Sequence, residues 1–117
     1  MYKRQVPESH RLTSGLPDSV ALFFSGSCAW KVEKAKPPEN EVAREDARRL
    51  EVLLRYAPTR LLSSGWVRSP EVIAERAAWV RAEHGAGAIH LFGFRPQYRG
   101  WSEEAMKLLF RAALLDR

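Results

Sequence analysis

The stretch Ser69-Pro70-Glu71-Val72-Ile73-Ala74-Glu75-Arg76-Ala77-Ala78-Trp79-Val80-Arg81-Ala82-Glu83-His84-Gly85-Ala86-Gly87-Ala88-Ile89-His90-Leu91-Phe92-Gly93-Phe94 decides how the chain folds. Ser69, Pro70 and Glu71 have the form of a helix start, with serine as the cap and proline at the first helical position. Ile73, Ala77 and Val80 recur at the spacing of one helical face, and Gly85 is suited to closing that helix. Residues 88–94 then read as an apolar strand bounded by Gly87 and Pro96. On this reading Gly85-Ala86-Gly87 is a tight turn from helix to strand. It is not a dinucleotide-binding fingerprint, whose glycines follow a strand and open a helix.

Working outward, Ala43, Ala47, Leu50 and Leu54 recur at helical spacing and predict a helix over residues 39–56, with acidic residues early and Pro58 beyond its end. Residues 59–62 read as a short strand, and Ser63-Ser64-Gly65 as a loop. Trp101-Ser102-Glu103-Glu104 opens a last helix that turns Ala105, Leu108, Leu109 and Ala112 inward. Nearer the start, residues 6–19 are irregular, and residues 34–38 form a linker ending in Pro37-Pro38. Between them an apolar run, 20–24, precedes the partly alternating residues 28–33. A hairpin turning at Ser25-Gly26-Ser27 and a short buried helix both suit that pattern.

Alternating helices and strands predict an α/β fold, here a partial (βα) barrel fragment with parallel strands and covering helices. The strands at 59–62 and 88–94 would be parallel neighbours joined by a right-handed crossover. Residues 6–117 form one such unit, divided into a divergent part, 6–58, and a closing part, 59–117. A sheet cut in this way is expected to keep an unsatisfied edge.

Composition narrows the classes. The chain has 117 residues, room for one modest core. Its 45% hydrophobic and 28% charged content excludes disordered and fibrous classes. No apolar run reaches the length of a membrane span, so no membrane partner is expected. Cys28 is the only cysteine, which precludes an internal disulfide and suits the cytoplasm. We expect it to be a small buried hydrophobe. The net charge of +5 invites a nucleic-acid partner. However, Met1-Tyr2-Lys3-Arg4-Gln5 matches, in order, the translation of a transposon-end sequencing adapter, so residues 1–5 read as an artefact. Without Lys3 and Arg4 the charge falls to +3. Arg44, Arg48 and Arg49 share their segment with Glu41, Glu45 and Asp46, the pattern of a self-paired solvated face. These features argue against nucleic acid.

Candidate chemistry is sparse. His10, His84 and His90 have no second ligand at metal spacing, and no nucleophile–histidine pair follows from the spacing, so neither a metal site nor a catalytic residue is assigned. His90, mid-strand beside Phe92 and Phe94, reads as a satisfied core residue. Trp66, Tyr98 and Trp101 lie near arginines and suit either loop packing or base stacking. The strand-ending segment Phe92-Gly93-Phe94-Arg95-Pro96-Gln97-Tyr98-Arg99-Gly100 has the most functional character. In parallel sheets such ends hold ligands, and an arginine fork suits carboxylate or phosphate.

That segment, with Ile89-His90-Leu91 before it and residues 103–115 after it, resembles the C-terminal end of radical SAM activating enzymes, which install a glycyl radical on partner enzymes. Gly65 with Ser69-Pro70-Glu71-Val72-Ile73 and Ala77-Ala78-Trp79 is similar to the family's preceding loop and helix. His10-Arg11-Leu12-Thr13-Ser14-Gly15 is similar to a His-Arg and Leu-Thr-Gly element, interrupted here by Ser14. The resemblance covers residues 59–115 and 8–17 and omits the middle. It implies a parent enzyme that binds S-adenosylmethionine and a [4Fe-4S] cluster and acts on a glycyl radical enzyme. Arg95, Pro96 and Gln97 would then lie near the cofactor rim. The three-cysteine cluster motif is absent, so the fragment would hold neither cofactor alone and would not catalyse. A small basic nucleic-acid-binding module is one alternative, and an interaction domain marked by Trp66 and Trp101 is another.

Overall fold

A computed structural model describes residues 10–33 and 50–116. The adapter-like residues 1–5, the linker and the part of the 39–56 helix that precedes Leu50 lie outside them. The centre of the fold is an antiparallel sheet of three strands, β1 (Leu50–Arg55), β2 (Ala77–His84) and β3 (Gly87–Phe92), in the order β1-β2-β3. One helix, α1 (Glu103–Leu115), follows. This is a small α+β arrangement.

The parallel (βα) barrel fragment is therefore incorrect, and the residues that overturn it are those of the opening stretch. Ser69 takes a left-handed conformation and makes no side-chain cap, so Pro70 opens only a single 3-10 turn, Pro70–Val72. Glu75, also left-handed, redirects the chain before a helix can propagate. Ala77, Ala78, Trp79 and Val80 are then buried in succession in β2. A strand covered on both faces loses its alternation, and its apolar run cannot be told from a helical one by period. Gly85-Ala86 forms a two-residue hairpin loop, closed by His84 opposite Gly87. Gly85 has φ +57° and Ala86 is not left-handed, the pattern of a type II′ turn. A hairpin joins antiparallel strands, so the crossover is absent.

Two other elements differ. Residues 50–55, assigned to the first helix, form β1, and residues 59–62 form no strand. Two of the three strands, 50–55 and 77–84, thus lie where helices were expected, and the strand expected at 59–62 is not formed. Residues 20–33 form neither a paired hairpin nor a helix; they run across the core and touch the sheet at one end. There Trp30 exchanges both backbone hydrogen bonds with Ala77, and the Cys28 N–H donates to the Gly93 carbonyl at 2.8 Å. Cys28 itself is exposed, not buried.

The last helix starts where the sequence places it. Ser102 Oγ accepts from the Ala105 N–H at 3.1 Å and donates to the Ala21 carbonyl at 2.7 Å, capping α1 and tying it to the core-crossing segment. Arg111 Nη1 donates to the carbonyls of Leu12 and Ser14, fixing the turn at residues 10–16 against the same helix. Ala105, Leu108 and Ala112 of α1 join Leu12, Leu22, Leu53, Leu54, Tyr56, Trp79 and Phe94 in one core. No helix among the described residues is long and apolar enough to cross a membrane.

Candidate interaction surface

Strand register brings together residues that are distant in sequence. Glu51 faces Arg81, and Arg81 faces His90, in one row across β1, β2 and β3. Asp116, just beyond α1, completes the row. Its Oδ2 accepts from Arg81 Nε and contacts His90 Nε2, both at 2.7 Å. Arg81 Nη1 reaches Glu51 and Glu83 at 3.1 Å, and His10 Nε2 lies 3.3 Å from Glu51. The Trp79 indole N–H donates to His90 Nδ1 at 3.1 Å, so Nδ1 is the acceptor and Nε2 carries the proton toward Asp116. Both ring nitrogens are engaged, leaving no lone pair for general-base chemistry. Arg81 already faces three carboxylates, so the shallow hollow of about 270 Å³ beside the hairpin does not offer it to an anion. The row is a brace between helix end and sheet. It places His90 as the sequence suggests, as a satisfied residue, and its other members could not be found without the register.

The brace has a pH signature. The hydrogen bond from Arg81 chiefly, and that from His90, hold Asp116 below the usual carboxylate range against the opposing effect of burial. A carboxyl whose folded pKa is depressed contributes its full stability above the unfolded value of about 4 and loses it as the pH falls through the folded value. Asp116→Asn should therefore destabilise the chain at neutral pH, with the difference from wild type shrinking below about pH 4. Urea unfolding at several pH values measures it; a difference independent of pH would show that the Asp116 charge is not what matters.

The segment singled out by sequence occupies a different place from the expected rim. Arg95 is exposed, Pro96 buried and Gln97 exposed. They follow β3, whose antiparallel pairing removes the carboxyl-end crevice of a parallel sheet. Arg95 Nη2 instead lies over Gly26, 3.2 Å from where a Cβ would stand. Tyr98 stacks on Phe23 with centroids 4.1 Å apart, Trp101 meets Phe23 edge-on at 6.0 Å, and the Arg99 guanidinium lies 5.3 Å from the Tyr98 centroid. These contacts fix the loop to the core-crossing segment.

Among the described large hydrophobic residues the most exposed is Trp66, at 83%. Val67, its neighbour in sequence, helps line an open, mainly apolar groove of about 450 Å³ with Pro58, Leu61, Leu62, Pro70 and Ala74, and with Arg60 and Glu71 among others. Leu62, which lines the groove, is exposed, as is Val72 next in sequence to Glu71. Arg60, Ser69 and Glu75, three of the four left-handed non-glycine residues among those described, frame this loop. Such conformations persist only where surrounding structure enforces them, and they concentrate at functional loops. Among the described residues no group of histidine, cysteine and carboxylate side chains could hold a metal ion. No known protein family, curated protein or solved structure matches the chain.

Proposed function

We propose that the chain is a protein-interaction module that docks a partner protein on the Trp66 face. The observation that carries this is an almost fully exposed tryptophan adjoining, in sequence, the lining of an open, mainly apolar groove. Tryptophans that become buried on binding anchor protein interfaces, and an exposed tryptophan next in sequence to a residue lining a mainly apolar groove is a suitable docking surface. The radical SAM resemblance rests on motifs in residues 8–17 and 59–115, and the rim position it implied for Arg95 assumed a parallel strand. With β2 and β3 antiparallel, the functional reading rests on the surface instead.

Trp66→Ala should leave folding stability within about 0.5 kcal/mol of wild type, as at other exposed sites. It should weaken partner binding about thirtyfold, the effect of an aromatic hot spot worth about 2 kcal/mol. A photo-crosslinking phenylalanine at position 66 tests the surface in cell extract, with the same group at Ala86 on the hairpin tip as control. The expected result is a discrete adduct from position 66 alone, suppressed by excess wild-type chain and not by excess Trp66→Ala chain. Equal labelling from both positions, or equal competition by both chains, overturns the reading.

A further inference from the structure

We propose that β3 pairs with the β3 strand of a second copy, forming a two-fold dimer with a continuous six-stranded sheet. This is independent of the Trp66 face. The sheet order leaves β3 at an edge. In a two-residue hairpin the residues flanking the loop form a hydrogen-bonded pair, here His84 and Gly87, and such pairs recur at every second residue. Ile89 and Leu91 are thus bonded to β2, as is Gly93, whose N–H donates to the Ala78 carbonyl at 2.7 Å. The backbone groups of Ala88, His90 and Phe92 point away from the sheet, and among the described residues nothing pairs with them.

Edge strands are ordinarily blunted by charge, proline or bulges. From Gly85 to Phe94 there is no lysine, arginine, aspartate, glutamate or proline, and β3 pairs with β2 without a bulge. Ile89 and Leu91 are 47% and 44% exposed on one face. The occupant is identified by the strand's self-complementarity. An antiparallel two-fold centred on His90 sets position 89 against position 91 of the other copy, twice, so that every exposed aliphatic side chain gains an aliphatic neighbour. On the opposite face it sets Ala88 against Phe92, small against large. At the centre His90 faces His90 of the second copy, each engaged by its own Asp116, and no lysine, arginine, aspartate or glutamate of either β3 meets a like charge, although the chain is basic overall. Reciprocal contacts of this kind are what a two-fold interface requires.

Sedimentation analysis of the full chain across the micromolar range should show a monomer–dimer equilibrium. Amide hydrogen exchange at Ala88, His90 and Phe92 should slow as concentration rises, while Ile89 and Leu91 are protected throughout by β2. Ile89→Lys and Leu91→Glu should each be monomeric, with circular dichroism confirming that each folds. Mixed in equal amounts, they should restore a dimer, because only this register sets position 89 of one chain against position 91 of the other. A wild-type chain that stays monomeric, single variants that still dimerise, or two folded variants that fail to associate when mixed would each overturn the proposal. A monomeric wild type would leave the edge to a different partner and would not bear on Trp66.

Discussion

Trp79→Ala should lower folding stability by about 4 kcal/mol, the cost of truncating a large buried aromatic. Trp79 has no exposed surface and stacks on Phe92 with centroids 5.0 Å apart. Removing the ring opens a cavity in the shared core of β2 and α1. It also removes the indole donor to His90 Nδ1 and so loosens the ring that contacts Asp116. Trp79→Phe separates the two effects. It keeps most of the packing and leaves His90 without that donor, so a loss of about 1–2 kcal/mol is expected. Denaturant unfolding of the three chains measures the series. Against a total stability of about 5–15 kcal/mol, Trp79→Ala should leave a marginal fold, and a loss under about 1.5 kcal/mol would show that Trp79 is not at the centre of the core.

Local signals and long-range ones were not equally legible. The last helix could be read because its start is local chemistry: Ser102 caps, Glu103 and Glu104 suit the first turn, and Ala105, Leu108 and Ala112 share one face. The strand read at 88–94 is in the main β3, Gly87–Phe92, and could be read because an apolar run stands between Gly87 and Pro96. The segment 77–84 could not. Alanine, arginine and glutamate favour helices, and the spacing of Ile73, Ala77 and Val80 imitated a helical face. The decisive facts were tertiary: burial of residues 77–80 from both sides, and a left-handed Glu75 that no propensity predicts. Ser69 and Ser102 make the contrast plain. Both precede an apparent helix start, but only Ser102 directs its hydroxyl to a backbone N–H.

The candidate surfaces divide in the same way. Trp66 and Trp101 stand in loops, and their exposure was open to inference from the sequence; the open edge of β3 was not, because the edge expected there belonged to a cut parallel sheet. The row of Glu51, Arg81, His90 and Asp116 was not, because its members meet only through strand register and the position of α1's end. Arg95 was chosen for a rim that the topology does not build. The antiparallel strand removes the geometric argument that selected it and leaves its side-chain chemistry unchanged.

Gly93→Ala should cost about 3 kcal/mol, at the upper end of overpacking effects, although it adds one methyl group. Gly93 is not left-handed, so conformational freedom is not the reason. A Cβ there would stand 2.3 Å from the Cys28 carbonyl oxygen and 3.3 Å from the Ala78 oxygen. Glycine in or beside a strand often marks close approach of another backbone, and here residues 28–30 are that backbone. Neither oxygen can yield cheaply. The Cys28 N–H is bonded to the Gly93 carbonyl, Trp30 is bonded to Ala77, and the Tyr56 hydroxyl donates to the Cys28 and Gly93 carbonyls at 3.0 and 3.3 Å. Relieving the clash therefore means detaching the core-crossing segment from the sheet. Gly87→Ala is the matched control, because the nearest atom to its added Cβ is 4.0 Å away; there the change should be neutral or stabilise by up to about 1 kcal/mol through the unfolded state. Thermal unfolding of both variants measures the difference. Equal stabilities would mean that residues 28–30 do not lie against Gly93, and the contact between that segment and the sheet would have to be redrawn.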